Sequence, residues 1–330
     1  MKKIGILIND LNFMNSHRNY LTKIINELNT DCEVREFSFG KLFNIFLWLL
    51  NCNYYWAISP KTSLILSMIP LSSKRKIITF SGFGTIGFMN KNLLKFIFHV
   101  VRVFNPNISV TTQNNNDTVF FKDIGFKKVI NLGGNGIVEN NYLSKVTNTD
   151  IIFVGRLLNQ KGISDFVNMK KIIDNQIPEN NYEWKVYGLI DKKNPSSWTS
   201  DQIELAKTKG IIFCGFESNI LQKMANGKLL IFPSYREGLP KTIIEALSVG
   251  LPTVGYDVPG VQDILSFNRD ILLENKPKNY YGLADKSVKI LTNQKLWSKL
   301  NLQGRTNFTA NFRKEITIEK NRDFLKSILN

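Results

Sequence analysis

The sequence predicts an α/β protein built from two doubly wound parallel-sheet domains. Three observations carry that prediction. Strand-like and helix-like segments alternate along both halves of the chain, as they do where helices cover both faces of a parallel sheet. Residues 231–262 read as a strand–loop–helix–strand unit, the building block of such a sheet. At 330 residues the chain is long enough for two domains, and the polar stretch 144–150 (SKVTNTD) reads as the linker between them.

Composition narrows the class. A hydrophobic content of 43% and a charged content of 21% fit a folded globular protein. Cys32, Cys52, Cys214, His17 and His99 are scattered, which argues against a zinc site or a disulfide framework and for a reducing compartment. There is no Asp-x-Asp pair to hold a divalent cation, so no metal is expected. The net charge is +16, and residues 1–145 hold 17 Lys and Arg against 8 Asp and Glu, the remainder 26 against 19. That excess favours an anionic partner: a membrane surface, a nucleic acid or a phosphorylated substrate. Met1-Lys-Lys leads straight into a short strand and then Asn9-Asp10, so no secretory signal is expected. No run reaches the roughly 18–20 apolar residues of a transmembrane helix.

In the first half, residues 4–8 read as a strand and 16–28 as a helix with Tyr20, Leu21, Ile24, Ile25 and Leu28 on one face. Segment 32–39 has mixed strand character, and 54–58, 77–80, 108–111 and 129–132 are further strands. Residues 9–17 follow the first strand, at the carboxyl end of the sheet where ligands bind in such folds. Ser16 is a helix N-cap candidate there, and His17 is a proton relay or a structural side chain. Ser81-Gly82-Phe-Gly84-Thr-Ile-Gly87-Phe88 is a loop whose backbone comes close to a ligand, or a flexible connection with core aromatics. Two segments suggest a membrane surface or the outer helices of the sheet. These are 42–50 (LFNIFLWLL) and the helix 91–104 (KNLLKFIFHVVRVF), whose Lys91, Lys95, His99 and Arg102 fall on one stripe. Lys74-Arg75-Lys76 adds a basic patch, and together these features favour peripheral attachment to anionic lipid.

The second half opens, after Gly133-Gly-Asn-Gly136, on a strand from 151 that runs into Gly155-Arg156-x4-Lys161-Gly162. Arg156 and Lys161 thus stand at the carboxyl end of the sheet, where they would neutralise a diphosphate. Residues 184–190, 211–216 and 229–232 continue the strand series, and 241–248 read as a helix with Ile243, Ile244 and Leu247 on one face. The strand 252–255 follows, and 311–330 read as a last helix. Glu237 precedes the helix 241–248 and Glu245 lies on it. A helix start presents unpaired N–H groups and the positive end of the dipole to an anion. A carboxylate on either side can accept hydroxyls, so a diphosphate between two hydroxylated rings, as in a nucleotide sugar, fits the arrangement.

The string Pro-Ser-x-x-Glu237-Gly-x-Pro-x4-Glu245-Ala-x3-Gly-x-Pro, with Gly-Arg-x4-Lys-Gly upstream, resembles the signature of retaining glycosyltransferases of the GT-B fold, family 4. The likeness is strong over about residues 150–310 and general over 1–140. It implies two Rossmann-like domains facing a cleft: 1–145 for the acceptor, 146–310 for the nucleotide sugar, and 311–330 crossing back to the first. It also implies roles. Glu237 contacts the donor sugar, Arg156 and Lys161 bind the diphosphate, and Glu245 holds the ribose hydroxyls. Backbone at Gly155, Gly238, Leu239 and Thr242 assists, and the base lies near Gly215 and Phe216. Ser16, His17, Ser81, Gly82 and Gly84 would face the acceptor, although Asn15-Ser16-His17 stands where family members often carry Gly-Gly. No cofactor is implied beyond the nucleotide sugar, most readily a UDP-sugar. A polyprenyl-diphosphate-linked saccharide at the cytoplasmic face of the membrane, as in O-antigen or capsule assembly, is the implied acceptor. A 2-epimerase-like enzyme of the same fold and a nucleic-acid-binding protein are the alternatives. The latter has no use for the set Glu237, Glu245, Arg156 and Lys161.

Overall fold

A computed structural model describes residues 3–8, 25, 31–36, 51–69, 75–82 and 91–329. It divides into two compact units, residues 1–135 with 314–330 and residues 136–313.

Among the described residues, the first unit holds six parallel strands: β1 (Lys3–Ile8), β2 (Asp31–Glu36), β3 (Tyr54–Ala57), β4 (Arg75–Phe80), β5 (Ser109–Thr112) and β6 (Lys128–Asn131). Their order is β2-β1-β3-β4-β5-β6. The central strands are apolar on both faces, so helices must cover both. One face buries Leu7, Tyr55, Ile78 and Phe80 against Leu94, Phe98, Val101 and Phe121. Three of these come from α2 (Lys91–Phe104) and Phe121 from α3 (Asn115–Asp123), while α1 (Pro60–Met68) adds Leu66 to the same cluster. The other face buries Ile4, Ile6, Trp56 and Ile77 against Phe324, Leu325, Ile328 and Leu329 of the C-terminal helix Lys314–Leu329. Of the helix expected over 16–28, only Ile25 is described, and it is helical and buried. The apolar run 42–50 lies outside the described residues.

The basic features of this unit differ from the sequence reading. Lys76 is no surface cation: it is buried in β4, and its ammonium donates to the Ile69 carbonyl and to Asn105 Oδ1. Both faces of β4 are covered beyond Arg75, so a basic run that enters this strand cannot all face solvent. Arg102 is half-buried, its guanidinium 3.4 Å from where a Cβ on Gly125 would sit, so it leaves the stripe. Lys95 and His99 stay exposed on α2, beside the exposed Leu93, Phe96, Val103 and Phe104.

The second unit holds β7 (Asp150–Val154), α4 (Ile163–Gln176), β8 (Glu183–Tyr187), α5 (Ser200–Thr208), β9 (Ile211–Gly215), α6 (Ile220–Ala225) and β10 (Gly227–Phe232). It continues with α7 (Lys241–Ser248), β11 (Thr253–Tyr256), α8 (Val261–Leu265), α9 (Arg269–Leu272), β12 (Leu273–Glu274), α10 (Tyr280–Leu291) and α11 (Gln294–Asn311). The parallel order β12-β11-β10-β7-β8-β9 places β10 and β7 in the middle. The sheet reverses direction of growth between them, and β10 is buried throughout. That is the position where ligands meet the carboxyl edge of an open sheet.

The units divide at Asn135/Gly136, upstream of the polar stretch 144–150. That stretch is tied to the second unit: Ser144 Oγ donates to the Gly227 carbonyl at 2.6 Å, and Asn148 Nδ2 to the Ala225 carbonyl at 2.7 Å. The last helix begins at Lys314 rather than 311. Phe312 is buried and its carbonyl accepts from Ile137 N at 3.0 Å, which ends α11 and starts a new helix. The two-residue β12 is too short to show an apolar period.

Candidate active site at the carboxyl edge of the second sheet

Two crossovers converge on this edge. The first leaves β7 through Gly155, Arg156 and a 3-10 turn, Asn159–Lys161, and enters α4 at Gly162. The second leaves β10 through the loop 233–240 and enters α7. They touch through backbone contacts, among them Gly162 against Pro233. A Cβ on Gly162 would lie 2.0 Å from the Pro233 carbonyl oxygen, and Gly162 has φ +74°, so both space and conformation require glycine. This contact brings Lys161 to Glu237 across 76 residues: Lys161 Nζ donates to Glu237 Oε1 at 2.6 Å. The carboxylate is 10% exposed and the lysine 22%.

α7 opens at Pro240 with no side-chain cap, so its first-turn N–H groups face the edge of the sheet. Thr242 sits in that turn, half-buried, as do Gly238 and Leu239 before it. Further along α7, Glu245 pairs with Lys241 Nζ at 3.1 Å. Burial raises the Glu245 pKa, and Lys241 opposes the rise. The loop after β11 closes on the same place: a Cβ on Gly260 would meet the Gly238 carbonyl oxygen at 2.1 Å.

Beside this lies a recess of about 460 Å³ lined by Gly155, Arg156, Gly188, Leu189, Asp191 and Phe216, among others. Gly188 approaches the Gly155 carbonyl so closely that a Cβ would sit 1.8 Å from its oxygen. Gly215 has φ +73° and open space where a side chain would be, and Phe216 beyond it is 74% exposed. Arg156 lines the recess and pairs through Nη1 with Asp191 Oδ2 at 2.8 Å. Asp191 escaped the sequence reading. The legible signal was its place just after a strand end, at the same edge.

Gly155, Arg156, Gly215 and Phe216 are therefore grouped at the recess, and Lys161, Glu237, Gly238, Leu239, Thr242 and Glu245 at the loop and helix start beside it. Ser81 follows β4 in the first unit and is exposed, and Gly82 is buried with φ +92°. Ser16, His17 and Gly84 lie outside the described residues. Among the described residues, no group of three or more His, Cys, Asp and Glu stands where it could hold a metal ion.

Three cations here are matched with carboxylates: Lys161 with Glu237, Arg156 with Asp191, Lys241 with Glu245. A diphosphate would compete for the cations, and the released carboxylates would accept hydroxyls. Residues 148–293 match the family described as Glycosyl transferases group 1. This segment is a glycosyl transferases group 1 domain. The domain lies wholly within the second unit. A 2-deoxystreptamine N-acetyl-D-glucosaminyltransferase of Niallia circulans is 27% identical over 165 residues, covering 49% of this chain and 41% of that protein. The capsular polysaccharide biosynthesis glycosyltransferase CapM of Staphylococcus aureus is 24% identical over 187 residues, 56% of this chain and 48% of that protein. The chain thus spans under half the length of these two relatives.

Solved structures extend the likeness to the whole chain as a fold. Anabaena HepE, crystallised with UDP and glucose, superposes with a TM-score of 0.73 at 14% identity, covering 99% of this chain and all of that one (100%). Sucrose-phosphate synthase from Thermosynechococcus elongatus gives 0.75 at 13%, covering 100% and 99%. The two parallel-sheet units with their group 1 domain therefore have the GT-B fold.

Proposed function

We propose that the protein is a glycosyltransferase of polysaccharide biosynthesis that takes its sugar from a nucleoside-diphosphate donor, most readily a UDP-sugar. The observation that carries this reading is the Lys161–Glu237 pair, held by the Gly162–Pro233 contact at the mouth of an uncapped helix. The diphosphate draws Lys161 and Arg156 from their carboxylates, and the N–H groups at the start of α7 add positive potential. Glu245, further along the same helix, accepts the ribose hydroxyls. Glu237, freed from Lys161, accepts a hydroxyl of the transferred sugar. The base occupies the recess by Gly215 and Phe216.

Transfer with retention follows in this reading. The acceptor hydroxyl oxygen bonds to the anomeric carbon on the face that the diphosphate leaves. The carbon–oxygen bond to the β-phosphate breaks, and a β-phosphate oxygen takes the hydroxyl proton. Lys161 and Arg156 stabilise the charge that grows on that phosphate. Such a step needs no protein nucleophile.

Acceptor recognition falls, in this reading, to the first unit, with Ser81 and Gly82 among its contacts. The acceptor class is a saccharide on a polyprenyl diphosphate at the inner membrane face. Supporting it is the outer face of α2, where Phe96 and Phe104 stand exposed beside Lys95 and His99. The attachment proposed is peripheral; no described helix is long and apolar enough to cross a membrane.

The test is a thermal-shift panel of UDP, GDP, ADP, CMP and their sugar conjugates, run also on Glu245→Ala and with duplex DNA. A shift with one nucleoside diphosphate that vanishes in Glu245→Ala is expected. A shift with DNA alone at low salt overturns the reading.

A further inference from the structure

Glu237 rides on the loop 233–240, and its ion pair with Lys161 is one that a bound diphosphate would weaken. What then holds the loop? Tyr235, two residues before Glu237, sends its hydroxyl to Asp165 Oδ2 at 2.9 Å. Tyr256, at the end of β11, donates to the same oxygen at 2.6 Å. The two rings stack with centroids 5.8 Å apart, and Lys278 Nζ lies 5.4 Å from the centre of the Tyr235 ring. Asp165 stands in the first turn of α4, just after Lys161 and Gly162, and is 6% exposed. Tyr235 N also donates to the Gln160 carbonyl at 3.0 Å.

A buried carboxylate is costly unless its oxygens are satisfied. Burial does push the Asp165 pKa up, against the two tyrosine hydrogen bonds and the Lys278 charge. The cost is offset because one oxygen joins three pieces of the site: the start of α4 that carries Lys161, the loop that carries Glu237, and the end of β11. None of these contacts is made by Lys161, Glu237 or Glu245 themselves. We propose that Asp165, through Tyr235, is a positioning residue that fixes Glu237 opposite Lys161 and keeps it there once their ion pair is broken. This inference rests on the nucleotide-sugar reading for its function and on the structure alone for the brace.

Two measurements separate those layers. Hydrogen exchange of the 233–240 segment in the ligand-free protein tests the brace. Tyr235→Phe is expected to speed it by about tenfold, the loss of one hydrogen bond to a charged group, whereas Tyr256→Phe leaves the segment within about twofold. Asp165→Asn, which keeps an acceptor oxygen, is expected to restore slow exchange relative to Asp165→Leu. Titration with UDP and with UDP-glucose or UDP-N-acetylglucosamine tests the function. In Tyr235→Phe the Kd for the UDP-sugar rises about tenfold while that for UDP stays within about twofold. Unchanged exchange in Tyr235→Phe overturns the brace. Faster exchange with parallel losses for UDP and UDP-sugar overturns positioning of Glu237. Absence of any nucleotide binding in the wild-type protein removes the nucleotide-sugar reading and the function with it, while the exchange result still decides the brace.

Discussion

At the scale of single residues, three charged groups are held in states that pH or a partner can change. Glu245 is a buried carboxyl with a raised pKa. Folding therefore favours its protonated form, so stability falls as pH rises from the ordinary glutamate range through the raised value. Donor binding runs the other way, because only the carboxylate accepts two hydroxyls. UDP affinity is thus expected to weaken in weakly acidic buffer while the melting temperature gains, and Glu245→Gln should flatten both profiles. Lys76 is the opposite case. Burial lowers its pKa to about 8, so between about pH 8 and the usual lysine value the unfolded chain holds a proton that the folded chain lacks. Stability of the first unit should rise by about 3 kcal/mol over that interval, and Lys76→Met should remove the slope in urea unfolding. Arg156 is tied to Asp191 by an exposed pair. Asp191→Asn should free the guanidinium and raise UDP affinity about two- to fivefold by titration calorimetry, a gain that shrinks with added salt.

At the scale of elements, α2 and α7 show how one amphipathic pattern serves two ends. α7 buries Ile243, Ile244 and Leu247 in the core and turns Glu245 to the edge of the site. α2 buries Leu94, Phe98 and Val101 but keeps a second apolar face outward: Leu93, Phe96, Val100, Val103 and Phe104. A contiguous apolar face left outside the core belongs against an apolar phase or a partner. With Lys95 and His99 on its surface, α2 suits anionic lipid. Co-sedimentation with phosphatidylglycerol vesicles is expected, weak with phosphatidylcholine alone. The double substitution Phe96→Ser and Phe104→Ser should lower partitioning at least about tenfold without changing the melting temperature by more than a few degrees. Equal partitioning of the variant would leave α2 without that role.

At the scale of the whole molecule, the chain ends where it began. The C-terminal helix completes the first unit, burying Phe324, Leu325, Ile328 and Leu329 against β1 and β3. Four such side chains contribute roughly 6–12 kcal/mol, as much as the stability of an ordinary domain. Truncation after Arg313 should therefore unfold the first unit. The second unit should keep its own melting transition and its shift with UDP, since every residue assigned to the donor lies within 136–313. Loss of both transitions together would show that the units do not fold independently.

How much of this was legible beforehand follows from the range of the forces. Local pattern determined the α/β class, the bounds of α2 and α7, and the pairing of a helix start with Glu237 and Glu245, because apolar period, glycine and proline act over a few residues. It also brought Arg156 and Lys161 to the correct end of a strand. Only the tertiary structure decided what meets across the chain. Gly162 against Pro233, Asp165 between Tyr235 and Tyr256, Arg156 on Asp191, and Lys76 turned inward each depend on partners far apart in sequence. Such contacts arise when the sheet sets its strand order and register. A cation reads the same in sequence whether it will face solvent, a carboxylate or a buried carbonyl, and only the packing around it selects one.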